Sequence, residues 1–82
     1  MNVRTRSAEA GRNDATPRIA ALAWAGKQAQ AIAAATEALA APRLGAAQRV
    51  ALLDLRAESL IAEGRFDHAA LDVDEMLALA DA

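Results

Sequence analysis

Few residues in this chain have types and spacing that could do chemistry. The single histidine, His68, stands four residues before Asp72 and seven before Glu75. On a helix these three point the same way and offer a nitrogen and two oxygens to a divalent ion. The spacing arises readily on any acidic helix, so a solvated face is the plainer reading. Asp67 beside His68 has the residue types of a hydrolytic pair, but adjacent helical positions diverge and no nucleophile is spaced to complete the set. Gly26-Lys27 lacks the upstream glycine and the following Ser or Thr of a phosphate-binding loop. Catalysis is not expected, and neither is a metal or any other cofactor. Asp54 and Glu58, at i and i+4, place two carboxylates on one helix face, where they either clamp a basic segment or stay solvated. Trp24 is the one tryptophan. Its indole suits a binding hot spot, and it equally suits the core of a small hairpin.

The elements that hold these residues follow from composition. The chain has 82 residues, 25 of them alanine and only 20 larger apolar residues, so one domain with a thin core is expected. Alanine is the best helix former, and this composition favours closely approached helices over a sheet. Without cysteine there is no disulfide framework, thiolate metal site or thiol chemistry, which fits a reducing compartment; cytoplasm is the expected location. Charge-free stretches such as 28–36 are far shorter than the roughly 20 apolar residues that cross a bilayer, so no membrane partner is expected. The opening segment has no apolar stretch of a secretory signal, and Glu9 and Asp14 argue against an organellar one. Residues 1–18 carry four arginines against two carboxylates, whereas the remainder carries five basic residues against nine acidic ones. A basic arm therefore leads into an acidic body, which either serves solubility or attracts a basic partner.

Residues 1–16 are polar and aperiodic and read as a disordered arm. Thr16-Pro17 opens a short helix to about Ala25, with Thr16 as its cap. A second helix is expected over 28–41, ended by Pro42. A third spans about 46–63 with Val50, Leu53, Ala57, Leu60 and Ile61 in one stripe. Leu52 and Leu55 lie off that stripe, so this helix should contact two neighbours. A fourth runs from Asp67 or His68 to about Ala80, with Asp67 as cap, Phe66 packed on Leu71, and Ala69, Val73, Met76, Leu77 and Ala80 buried. Gly26-Lys27 through Ala38-Leu39 and Gly64-Arg65 through Met76-Leu77 are related by a shift of 38 positions. Such a period marks stacked helical units.

Leu53, Ala57 and Leu60, then Gly64-Arg65-Phe66-Asp67 and Ala69, then Val73, Met76 and Leu77 resemble the tetratricopeptide-repeat family, whose helix hairpins span about 34 residues. The match covers residues 50–79; the copy at about 17–42 looks degenerate, with a leading helix of half length. The period of 38 implies a lengthened turn through Pro42 to Gly45. Met76 occupies a position where a small residue is usual, and Gln28-Ala29 replaces Phe66-Asp67. The resemblance implies an all-α chain of two antiparallel hairpins, over about 17–42 and 46–80, stacked as a short array. It implies a non-catalytic protein-interaction module of the kind attached to bacterial signalling or regulatory proteins. The first helix of each hairpin would line a concave groove, placing Ala51, Asp54, Glu58 and Ala62, with Ala20, Ala23 and Trp24, near a protein or peptide partner, a basic one if the carboxylates act.

Two rival readings stand beside it. An obligate homodimer would complete a helical bundle, since two hairpins leave an apolar edge that self-association or further residues must cover. A small DNA-binding regulator would grip phosphate with the arginine-rich arm, against which the acidic body weighs.

Overall fold

The structure is a computed structural model and describes residues 14–81; most of the arm expected over residues 1–16 lies outside it. Four helices follow in order: α1 (Thr16–Trp24), α2 (Gln28–Leu39), α3 (Ala46–Ala62) and α4 (Phe66–Asp81), with no strand among the described residues. They form two antiparallel hairpins, α1/α2 and α3/α4. α3 packs between α2 and α4 and also touches α1, while α1 and α4 do not meet. All-α stacking of two hairpins is thus as expected, and α1 is about half the length of α3. No helix among the described residues is long and apolar enough to cross a membrane.

The two hairpins turn through the same backbone device. In the first, Gly26 has φ +80 and donates to the Ala23 carbonyl at 3.0 Å, while Lys27 donates to Leu22 at 2.9 Å. In the second, Gly64 has φ +75 and donates to Ile61 at 2.9 Å, while Arg65 donates to Leu60 at 2.8 Å. These paired bonds form a Schellman motif, which satisfies the last free carbonyls of a helix and requires a left-handed residue. The repeat seen as residue types is therefore also a repeat of geometry.

Helix starts differ more from expectation. Thr16 does not cap α1; its own N–H donates to the Asp14 carboxylate at 3.0 Å, so Asp14 does the anchoring. Hydrogen bonds from Thr16, with a further one from Gln48 of α3, hold the Asp14 carboxyl below its ordinary pKa. That anchoring is present above the ordinary carboxylate range and lost as pH falls through the lowered value. In α4, Phe66 is the first helical residue rather than a staple outside it, and both Phe66 and Leu71 are exposed.

The core is small and close. Of nine buried apolar residues among the described ones, four are alanines, Ala31, Ala35, Ala57 and Ala69. Missing side-chain bulk lets backbones approach, so the larger Ile19, Leu39, Leu52, Leu53 and Leu60 suffice to fill the remaining space. Leu53, Ala57 and Ala69, the positions that should allow close packing, are all buried. Leu52 is buried and Leu55 packs against the core, so α3 is indeed apolar on two sides, whereas Ile61 is half exposed.

The stripe expected on α4 is the main correction. Ala69 is buried and Met76 packs on the core, but Val73, Leu77 and Ala80 are exposed, and the buried partner of Ala69 is Asp72. The cause lies on α3. Arg56 donates from Nε to Asp72 Oδ2 at 2.8 Å and from Nη2 to Oδ1 at 2.6 Å, a two-pronged pair, and from Nη1 to Thr36 Oγ1 of α2 at 3.1 Å. Two turns earlier, Arg49 donates to Glu75 Oε2 at 2.7 Å and to the Leu39 carbonyl at the end of α2 at 3.3 Å. Each arginine thus bridges α2 and α4 across α3, and the Asp72 carboxylate is drawn inward, turning α4 away from the expected stripe. Hydrogen bonding to Asp72 outweighs burial and raises the Arg56 pKa further, so the guanidinium stays charged.

Two sets of variants test this framework by chemical denaturation. A Cβ at Gly64 meets nothing within 4 Å, so only its positive φ resists substitution. G64A should therefore lose about 1–2 kcal/mol, whereas G45S, at an extended N-cap lacking a side-chain acceptor, should gain a few tenths. R56A and D72A should each cost about 2–3 kcal/mol, and R49A and E75A, whose side chains are 35% and 41% exposed, at most about 1. Equal losses at the two rungs would show that burying Asp72 adds nothing.

Candidate functional site

α1 and α3 run parallel, and a cleft of about 310 Å³ opens between them. Ala20 and Ala23 of α1 and Leu55 of α3 supply its apolar lining, and Glu58 and Trp24 stand exposed at its edge. Trp24 is 94% exposed, which settles the open choice between core and surface. It sits at the last position of α1, just before the Gly26 turn.

Polar groups inside the cleft are incompletely matched. Gln28, the first residue of α2, donates from Nε2 to the Ala23 carbonyl at 3.3 Å, but its buried Oε1 has no partner. Ser59 is 1% exposed and its Oγ also lacks a partner, although a helical serine can ordinarily bond the carbonyl one turn back. An unmatched buried polar atom costs about 1–3 kcal/mol. Both residues line the cleft but both oxygens lie beneath its surface, so an incoming donor meets them once the Gln28 and Ser59 side chains turn toward it.

Of the residues singled out from sequence, the cleft gathers Trp24, Glu58, Ala20 and Ala23. Asp54 and Ala62 are exposed and Ala51 partly so, on the same side of α3 as Glu58, but none of the three lines the cleft. Gln28 and Ser59 were missed as site residues. A signal for Ser59 existed: it continues the second apolar stripe of α3 at seven residues from Leu52 and four from Leu55, a hydroxyl in a buried row.

A second cleft, of about 270 Å³, lies between α2 and α4 and is lined by Thr36, Arg56, His68, Asp72 and Glu75 among others. Its two carboxylates are already engaged. Asp72 is held by Arg56 and Glu75 by Arg49, so the two carboxylates beside His68 are engaged by arginine. Among the described residues no three His, Asp or Glu side chains group as metal ligands. The α1/α3 cleft is therefore the better candidate. Compared with protein-family models, with curated proteins and with solved structures, the chain matches none of them.

Proposed function

We propose that this chain is a non-catalytic protein-interaction module of tetratricopeptide type, cytoplasmic in location, whose α1/α3 cleft receives a peptide segment of a partner protein. The single observation that carries the reading is an almost fully exposed tryptophan beside a cleft with two unpaired buried polar atoms, Gln28 Oε1 and Ser59 Oγ. An apolar side chain laid on the indole removes its large surface from water, and a peptide backbone supplies N–H donors for both oxygens once the Gln28 and Ser59 side chains turn toward the cleft. Glu58 at the edge, with Asp54 one turn earlier, favours a basic residue in the segment; such a rim contact adds more to encounter rate than to affinity. The parallel placement of α1 and α3, each leading a hairpin, supports the family resemblance, as does burial of Leu53, Ala57 and Ala69.

Selection of peptides from a random displayed library against the full chain tests the proposal. Bound peptides should shift the Trp24 emission to shorter wavelength and lose roughly tenfold or more affinity on W24A, while stability stays within about 0.5 kcal/mol. S59A should act in opposite directions, raising the stability of the free protein by about 1 kcal/mol while weakening the selected peptides. Binders indifferent to both W24A and S59A would sink the assignment of the cleft.

A further inference from the structure

The shift of 38 positions that superimposes one hairpin's turn on the other also relates their outer faces. On the first hairpin, Ala23, Gln28, Ala35 and Leu39 face α3, with Ala35 fully buried and Leu39 8% exposed. Their equivalents on the second hairpin are Ile61, Phe66, Val73 and Leu77, which are 50%, 63%, 39% and 61% exposed. The face that α3 covers is thus built again, from apolar residues as large or larger, and left open.

Its charge indicates what covers it. Thr36, which accepts the Nη1 hydrogen bond of Arg56, corresponds to Asp74. Asp67, Asp74 and Asp81 fall seven residues apart along α4, immediately beside the row of Phe66, Val73 and Ala80. Two copies of α4 packed antiparallel would bring these acidic rows together, which disfavours symmetric self-pairing. A helix seated as α3 is seated on α2 would instead bring arginine to Asp74, replacing a hydrogen bond between a cation and a neutral hydroxyl by one between opposite charges.

We infer that the outer face of α3/α4 is a docking site for a separate amphipathic helix of α3-like chemistry, with leucine along its stripe and arginines seven residues apart beside it. None of Ile61, Phe66, Val73 or Leu77 lines the α1/α3 cleft, so this site stands independently of the peptide-binding reading.

The test uses the full chain and a fluorescently labelled synthetic peptide of the α3 sequence, residues 46–62, read by anisotropy. Saturable binding is expected, weakened roughly tenfold or more by V73S/L77S, whose side chains are exposed and whose helix content should hold by circular dichroism. D74K should weaken it as well, and a probe carrying glutamate at the positions of Arg49 and Arg56 should regain affinity for D74K. W24A should leave it unchanged. Binding that survives V73S/L77S would show the probe replacing the chain's own α3 and would overturn the inference, as would no binding at millimolar peptide. Concentration-dependent oligomers of the protein alone, dissolved by V73S/L77S, would give the face to a second copy and overturn it equally.

Discussion

The pairing of Arg56 with Asp72 is the constraint from which the rest of this structure follows. A carboxylate 4% exposed cannot be left without a counter-charge, and a guanidinium matches it with two parallel hydrogen bonds that also fix its direction. Only one rotation of α4 about its axis satisfies both. The same guanidinium reaches Thr36, whose hydroxyl in turn donates to the Ile32 carbonyl at 2.8 Å, so the three longer helices share one polar anchor. Buried ion pairs add little net stability once desolvation is counted; what this one supplies is a choice of register.

Register matters here because the apolar contacts alone are permissive. Alanine-lined helices can slide and rotate past one another with small changes in buried area, since a methyl group makes no deep knob or hole. With four alanines among nine buried apolar residues, this core closes the helices together without prescribing how they are turned. Two arginine bridges, two turns apart on α3, remove that freedom. Turning Asp72 inward has a second effect: Val73 and Leu77 are carried to the outside, so the polar anchor of one interface creates the apolar surface of another.

Helix number, order and approximate ends were legible, because Pro17, Gly26, Pro42 and Gly64 punctuate the chain through backbone chemistry that tertiary packing does not override. The repeat was legible for the same reason, since both glycines close the same motif. Facing was less so. On α4, the apolar periodicity of Val73, Met76 and Leu77 pointed to a buried stripe, and Asp72 and Glu75 looked like solvent positions. The competing signal was Arg49 and Arg56 on α3, two cations that reach Glu75 and Asp72 across the antiparallel hairpin although the arginines are seven residues apart and the carboxylates three. Reading it requires pairing two helices rather than one. Of the residues that line the cleft, Trp24 and Glu58 stood out by position in the hairpin, while Gln28 and Ser59 emerged only from the balance of hydrogen bonds, which no single-helix pattern records.

The two hairpin turns are fixed in length by their glycine geometry, whereas the connection between the hairpins is not. It runs from Ala40 to Gly45, where Pro42 and Arg43 are exposed and outside any helix. Lengthening a flexible loop costs only about 0.6 kcal/mol per doubling, whereas one residue added at Gly26 or Gly64 would break a closed ring of hydrogen bonds. The junction between Pro42 and Arg43 is thus the natural splice point of the molecule, where a reporter or tether can be inserted without disturbing either hairpin.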